Sequence, residues 1–483
     1  MPIIHWRTGT SGDWSQGSNW IGGVAPGAGD DAFVDASGTY TVTISTAIST
    51  NSLTLNASGA TVTETAAGSL TLAGALNLEA GTFQLNSGTT SVGGFTQTGG
   101  ELAGTGTVTV SGATELSGGI MEGGSASLRQ GNLVAQGALT ITAAGNGVGA
   151  VLDGGWTLTA EGTTTWTSGN IYFGSPFAGT VGGTNTLVNA ASATFDDQNT
   201  ANYNIIQQAG SGVFDNAGLF DKTAASGAST TTIGTAFNNS GILEVDAGTV
   251  DLIGGGTSTG SFTGAGTVEF GAGTTNLATG SSVTAASAIF GGGTTNIAGT
   301  YDVSGGTMVT GGTANLTAAV TSLGNALTIT GGTLNLGANN PAVTTFTQSG
   351  GELAGTGTLT VSGSTALSGG IMEGGSASLR QGNLVAQGAL TITAAGNGVG
   401  AALDGGWTLT AEGTTTWTSG NIYFGSPFAG TVGGTNTLVN AAGATFDDQN
   451  TANYNIIQQA GSGVFDNAGL FDKTAASGIS RQP

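Results

Sequence analysis

Short phrases that end in glycine recur along most of this chain of 483 residues, 92 of which are Gly. Between residues 237 and 318, each phrase is a short run rich in Thr, Val, Ile, Leu or Phe that closes on Gly, as in TVDLIGGG and TVEFGAG. β-Branched residues favour strands, alternation within a phrase turns every second side chain inward, and Gly permits a sharp corner. Strands that follow one another so closely leave no room for helices between them.

This spacing predicts an all-β fold, a parallel β-helix (β-solenoid) in which about three phrases form one coil of roughly 20–25 residues. Coils stacked at about 4.8 Å would number roughly 20 over the chain. Sandwiches and barrels also have short strands and regular turns, and they stay open as alternatives. Their strands usually run longer and their turns contain more Pro, Asn and Asp.

A long internal duplication divides the chain. Residues 95–227 recur as 346–478 with only six differences, so every candidate site in the first copy occurs twice. The predicted organisation is an N-terminal cap, first coils, copy 1, intervening coils, copy 2 and a non-repeat tail, at residues 1–40, 41–94, 95–227, 228–345, 346–478 and 479–483. The match between the copies stops after Gly478. From this we expect a piece of a longer protein, or a chain cut short by a change of reading frame.

The charge balance excludes several classes of partner. The chain has 28 acidic and 6 basic residues, a net charge of −22 and no Cys. Six scattered basic residues cannot neutralise a nucleic-acid backbone, so no nucleic-acid partner is expected. No apolar run reaches the length of a membrane helix, so we expect no membrane insertion of this segment. The first residues also lack the pattern of a conventional signal peptide.

The first 40 residues differ from the rest. They contain three of the seven tryptophans, Trp6, Trp14 and Trp20, and the phrase PGAGDD. The first coil of a solenoid exposes an unpaired edge that atypical terminal segments usually cover. An N-terminal cap is therefore predicted, with a carbohydrate-stacking tryptophan platform as the alternative.

Several phrases resemble a known family. The start, WRTGTSGDWSQGSNWIGGVAPGAGDDAFVD, and phrases such as FTQTGGELAGTGTVTVSG and GVFDNAGLFDKT resemble bacterial surface proteins with autotransporter-associated β-strand repeats and haemagglutinin-like adhesins. The resemblance implies a right-handed β-helical passenger, extracellular or associated with the outer membrane, that serves as a stalk or adhesin. Its partners would be host or environmental surface glycans or proteins. The ligand and the export route are not indicated.

Carboxylates are the main candidates for chemistry. Asp196 and Asp197, repeated as Asp447 and Asp448, lie in the densest acidic neighbourhood of the chain. Neighbours on a strand point to opposite faces, so they would share a site only at a turn. His5 is the only histidine, so clusters of histidines that bind metals or act in catalysis are excluded. We expect no catalytic residue, cofactor or metal site. Incidental calcium binding by the carboxylates is the alternative.

A second candidate is an irregular aromatic stretch, NIYFGSPFAG, which we expect to form a projecting loop. Its Tyr172, Phe173 and Phe177, with the copies Tyr423, Phe424 and Phe428, are candidate ligand contacts. The other large aromatics, including Trp156, Trp166 and the phenylalanines of FTQ, VFDN and LFDK, are predicted to stack in the interior.

We therefore expect a non-enzymatic, structural or adhesive segment. A β-helical polysaccharide lyase or glycosidase is the main alternative, since such enzymes need paired carboxylates. An ice-binding protein is a third, suggested by Thr-x-Thr phrases such as Thr107-Val108-Thr109.

Overall fold

The computed structural model describes residues 2–86, 88–123, 131–143, 147–177, 179, 181–223, 228–374, 381–394, 398–428, 430 and 432–475. The chain divides into two compact units, Met1–Gly254 and Gly255–Pro483. Each unit is a parallel β-solenoid, because strands pair in parallel with strands one coil away along three faces. The predicted fold class is thereby confirmed. The faces are named first, second and third in the chain order of their strands within each repeat copy.

In unit 1, three long strands turn corners and contribute to more than one face: Ser52–Glu64, Ser69–Leu85 and Thr89–Gln97. The first face also contains Ala47–Thr50, Thr107–Val110, Asn132–Ala135, Thr157–Ala160, Thr184–Asn189, Ser211–Asn216 and Ala236–Asn239. The second contains Ile3–His5, Asp31–Val34, Thr114–Leu116, Leu139–Ile141, Thr163–Trp166, Thr194–Asp197, Leu219–Lys222 and Ile242–Val245. The third contains Gly12–Asp13, Tyr40–Ile44, Glu101–Gly104, Ile120–Glu122, Val148–Asp153, Asn170–Phe173, Ile205–Gln207, Thr230–Ile233 and Thr249–Leu252.

Unit 2 also has three faces, which are named by their chain order in copy 2. The first contains Ser261–Thr263, Ser282–Val283, Thr300–Val303, Val320–Leu323, Ala342–Val343, Thr358–Val361, Asn383–Ala386, Thr408–Ala411, Thr435–Asn440 and Ser462–Asn467. The second contains Thr267–Phe270, Ser287–Phe290, Gly306–Val309, Ala326–Ile329, Thr345–Gln348, Thr365–Leu367, Leu390–Ile392, Thr414–Trp417, Thr445–Asp448 and Leu470–Lys473. The third contains Gly256–Ser258, Thr274–Leu277, Thr294–Ile297, Thr313–Leu316, Thr333–Asn335, Glu352–Ala354, Ile371–Glu373, Val399–Asp404, Asn421–Phe424 and Ile456–Gln458.

Coil length varies more than the sequence pattern predicted. Successive coils are 19 residues apart where Thr294 pairs with Thr313, but 34 apart where Ile171 pairs with Ile205. The additional residues lie at corners, since pairs such as Thr163–Trp166 with Thr194–Asp197 keep one register along the strand. The longest coils belong to the duplicated segment, and their corner insertions form the candidate site described below.

The interior follows from the alternation within each strand. In Thr157–Ala160, Leu158 points inward and stacks between Leu133 and Leu187 of the neighbouring coils; all three side chains are fully buried. Burial of one such leucine contributes about 1.5–3 kcal/mol. The ladder of apolar side chains therefore stabilises each coil against its neighbours.

Aromatic side chains extend this interior ladder, as predicted. Phe195 and Phe220 stack with ring centroids 5.3 Å apart and planes inclined by 6°. Trp156, Trp166 and Trp407 are fully buried, and Trp417 is 3% exposed. The prediction that these aromatics lie inside is confirmed for the tryptophans and for Phe95, Phe214, Phe220 and Phe346, whereas Phe465 and Phe471 of copy 2 are only partly buried.

One column of glycines shows why the chain needs them at corners. Five glycines that directly precede third-face strands of unit 2 have φ between 60° and 70°: Gly273, Gly293, Gly312, Gly332 and Gly351. Only Gly adopts this conformation without a steric penalty. A Cβ on Gly332 would also overlap the backbone of Gly311 in the previous coil.

The N-terminal residues pair with the solenoid strands, but they also contain a cluster of three tryptophans. Ile3–His5 pair with Asp31–Val34 on the second face. Trp6, Trp14 and Trp20 are buried against one another, and the Trp20 Nε1 donates to the Trp14 carbonyl at 2.7 Å. Their burial disfavours the alternative of a tryptophan platform, whereas the capping role stays a prediction.

Candidate functional site

A corner insertion at residues 174–183 connects the third face to the first face in copy 1. It follows Asn170–Phe173 and precedes Thr184–Asn189; residues 178 and 180 lie outside the described part. Its first turn is held by Ser175, whose Oγ accepts the Phe177 N–H at 3.1 Å. The loop thereby presents Phe177 with half of its surface exposed, at 50%.

A buried carboxylate fixes the far end of this corner loop. Asp153 is fully buried and accepts backbone N–H groups from Gly154, Val181 and Gly182, each at 2.8 Å. Hydrogen bonds to a charged acceptor are stronger than those between neutral groups. Asp404 holds Gly405, Val432 and Gly433 in the same way in copy 2, so both copies have a clamped loop.

The aromatic candidates separate into three environments. Phe173 and its copy Phe424 are buried in the interior, at 0% and 4% exposure, so neither can contact a ligand. Tyr172 and Tyr423 are half-buried on the outward side of the same strands. Phe177 and Phe428 are the exposed members, at 50% and 44%.

The expectation of a projecting loop needs a correction in its first part. Asn170–Phe173 and Asn421–Phe424 are regular third-face strands that pair with both neighbouring coils. Their alternation of polar and apolar residues already fits a strand, and the loop begins only at the glycine that follows.

The paired aspartates do not share a site. Asp196 points outward and Asp197 inward at the end of the strand Thr194–Asp197, and Asp447 and Asp448 repeat this arrangement. Asp196 accepts hydrogen bonds from Gln198 and from Thr223, at 2.6 and 2.7 Å. A shared site was expected only if the aspartates lay at a turn. Both aspartates of each copy instead lie within a strand.

The outward aspartate belongs to an acidic column on the second face. Asp196 lies beside Asp221, which lies beside Glu244 in the next coil. Burial, followed by the charges of Asp246, Glu244, Asp196 and Asp197, raises the pKa of Asp221 to about 6. The carboxylates of this column repel one another, and Asp221 at its centre takes up a proton at a higher pH than an ordinary aspartate does.

A further group of acidic residues, centred on Glu122, could not be predicted from the sequence. Glu122 lies beside Asp153 at the third face, and burial with the charges of Glu101 and Asp153 raises its pKa to about 7. Burial raises the pKa of Glu373 to about 7 as well, with Glu352 and Asp404 as the charged neighbours. These carboxylates are 21 to 52 residues apart in sequence, so only the stacking register brings them together.

The described residues contain no group of three or more His, Cys, Asp or Glu side chains placed to hold a metal ion. They also contain no helix long and apolar enough to cross a membrane. His5 contacts Asp35 at 2.9 Å near the N-terminus, far along the chain from the corner loops.

The threonine phrases form only partial columns. Thr109 pairs with Val134, which pairs with Thr159, so the column suggested by Thr107-Val108-Thr109 is interrupted. In unit 2, a regular column of Thr274, Thr294, Thr313 and Thr333 spans four coils before Glu352 replaces threonine.

Comparison with known proteins gave no match to a family model, to a curated protein or to a solved structure.

Proposed function

We propose that this chain is a structural and adhesive β-helical segment of a bacterial cell-surface or secreted protein, and that it performs no catalysis. The observation that carries the proposal is the clamped corner loop, which presents an exposed phenylalanine in each copy of the duplication. The solenoid of each unit supplies a base for the loop, since its described strands pair with strands of neighbouring coils. Loops on a rigid scaffold are the usual location of binding residues.

Phe177 and Phe428 are suited to glycans or to apolar patches on proteins. An exposed aromatic ring offers a flat apolar face, and its position is fixed here by the Ser175 and Asp153 hydrogen bonds. Two copies on one chain would also convert the second contact with a surface into an intramolecular event. A surface rich in repeated glycan or protein sites is therefore the expected partner.

The test is binding of the purified chain to immobilised bacterial and host polysaccharides and surface proteins. We expect retention on at least one of them, and a loss of about tenfold in affinity, or about 1.4 kcal/mol, for the double variant Phe177→Ala, Phe428→Ala. Met308→Ala is the matched control, because Met308 is another exposed apolar residue, at 39%, outside the loops. Equal binding by the double variant and the control would contradict the proposal.

A β-helical glycosidase or lyase is the second candidate, and the carboxyl groups near Glu122 favour it. A carboxyl group with a raised pKa, about 7 for Glu122, beside a second carboxyl group is the pairing that glycoside hydrolysis uses. Release of reducing ends from the same polysaccharides, abolished in the double variant Glu122→Gln, Glu373→Gln, would establish this function. Binding without product release would support the adhesive proposal.

A further inference from the structure

A buried amine, carboxylate and carboxamide meet in unit 1, and the proposed function uses none of them. The Lys222 Nζ lies 3.4 Å from Asp197 Oδ2. The Asn199 Nδ2 donates to Asp197 Oδ1 at 2.7 Å. All three side chains are fully buried, so one carboxylate contacts both the amine and the carboxamide away from solvent.

The stacking register builds this group. Asp197 and Lys222 are paired positions of successive second-face strands, and each is the inward residue two positions after a buried phenylalanine. Asn199 follows at the corner, where its own N–H donates to Asp197 Oδ1 at 3.0 Å. Thr231 and Ser229 of the following coil complete the enclosure.

Lys222 and Asp197 are enclosed together, with both side chains fully buried. An ion pair in a dry interior bears a desolvation cost that its mutual attraction often fails to offset. Transfer of one proton from the Lys222 ammonium to the Asp197 carboxylate removes both charges. Thr231 Oγ1 and Ser229 Oγ, at 2.9 and 3.1 Å, hold the amine in place without charge. A desolvated, neutral lysine amine is a nucleophile.

The carboxamide is the electrophile within this group. Asn199 Oδ1 is buried and has no hydrogen-bond partner among the described residues, an unfavourable arrangement for a buried polar atom. A rotation that turns the carboxamide towards Lys222 would give this oxygen a donor. Both groups contact the same carboxylate, so the reaction needs a shift of the Lys222 side chain from Asp197 towards Asn199.

We propose that Lys222 and Asn199 become joined by an intramolecular amide bond, with Asp197 as the proton carrier. Asp197 takes a proton from the Lys222 ammonium, and the amine lone pair then attacks Asn199 Cγ to form the C–N bond. The Cγ–Nδ2 bond breaks, and the leaving nitrogen receives protons through Asp197 and departs as ammonium. Asp197 returns to the carboxylate, and neither an oxidant nor a cofactor is consumed.

The second copy provides an internal control with the same residues. Lys473 contacts Asp448 at 3.1 Å, and Asn450 Nδ2 contacts the same oxygen at 3.0 Å. The Lys473 side chain is 25% exposed, whereas Lys222 is fully buried. Water can therefore solvate the Lys473 ammonium, so we expect no bond in copy 2.

The experiment is mass spectrometry of the purified full chain. We expect an intact mass lower than the sequence mass by one ammonia. Chymotrypsin should then release a branched peptide that joins residues 196–203 to residues 221–237. Residues 447–454 have the same sequence as 196–203, but the lysine-bearing peptide of copy 2, residues 472–483, differs from that of copy 1 and so identifies the copy.

An intact mass equal to the sequence mass would overturn the proposal without any variant. A branch formed with loss of water would place the bond on Asp197, and a branch on residues 472–483 alone would contradict the role of burial; either overturns the assignment. Lys222→Arg, which keeps the charge, and Asp197→Asn, which removes the proton carrier, should both restore the full sequence mass. Ammonia loss that persisted in Lys222→Arg would also overturn it.

Discussion

The duplication places identical side chains in different surroundings. A comparison of the two copies therefore separates the effect of the neighbouring residues on stability from the effect of the side chain itself. Phe214 is fully buried and packs against Phe195, Phe220 and Phe237, with ring centroids 5.3 to 5.7 Å apart. Its copy, Phe465, packs only on Phe446 and Phe471 among the described aromatics. Phe465 is also only partly buried. The difference is the ring of the next coil.

Phe214→Ala should therefore destabilise the protein more than Phe465→Ala. We expect a loss of about 3–5 kcal/mol for Phe214, the usual range for a buried phenylalanine, and less than half of that for Phe465. Urea unfolding followed by tryptophan fluorescence measures both changes in the free energy of unfolding. Equal losses would mean that coil-to-coil packing contributes little at this position.

Glu122 and Glu373 should make stability depend on pH in an unusual direction. Burial and neighbouring carboxylates raise the pKa of each to about 7, from 4.5 when unfolded. Between these values the folded state binds more protons, so stability falls as pH rises from about 4.5 to 7 and then levels off. Removal of these groups should flatten that dependence.

The double variant Glu122→Gln, Glu373→Gln tests this, with thermal unfolding measured from pH 4.5 to 8. We expect a gain above pH 7 of roughly 1 kcal/mol per site, after allowance for solvent screening. Near pH 4.5 the variant should match the original protein. A variant that lost stability equally at every pH would show that the carboxyl groups act through packing and not through charge.

At the scale of elements, each corner loop has an irregular backbone whose far end is held by one buried carboxylate, Asp153 in copy 1 or Asp404 in copy 2. Their sequence cue is the DGGW string before each insertion, where Asp is followed by two glycines with positive φ. Asp153 accepts hydrogen bonds from the Val181 and Gly182 N–H groups, which lie 28 and 29 positions further along the chain. The described residues of the loop have no comparable apolar ladder, so the order of its far end should depend on this carboxylate.

Asp153→Asn should loosen the corner loop of copy 1 and leave that of copy 2 unchanged. The amide nitrogen of Asn cannot accept the backbone N–H groups of Val181 or Gly182, so at least one is left unsatisfied, at about 1–3 kcal/mol. Faster amide exchange at residues 181–183, compared with residues 432–434, measures the effect. Asp404→Asn is the reciprocal variant, and unchanged exchange in either would contradict the clamp.

At the scale of the whole molecule, the sequence predicted what is local and missed what depends on register. The alternation of residues such as Thr157–Ala160, with glycine at corners, was sufficient for the fold class and the interior aromatics. Alternation from Phe195 and Phe220 also indicates that Asp197 and Lys222 point inward. Their contact could not be predicted, because it depends on the number of residues in one coil, which corner insertions change from 19 to 34.

A solenoid whose coils contact mainly their neighbours should respond locally to a defect. Trp166 is fully buried, and its strand pairs with Leu139–Ile141 and Thr194–Asp197. In Trp166→Ala we expect faster amide exchange in these strands, because the cavity weakens their packing by about 3–5 kcal/mol. Strands such as Asp31–Val34, several coils away within unit 1, should keep their protection. Hydrogen exchange with mass spectrometry measures both, and Trp417→Ala is the matched variant for unit 2. Uniform loss of protection along the chain would instead indicate that the stacked coils unfold as one cooperative body.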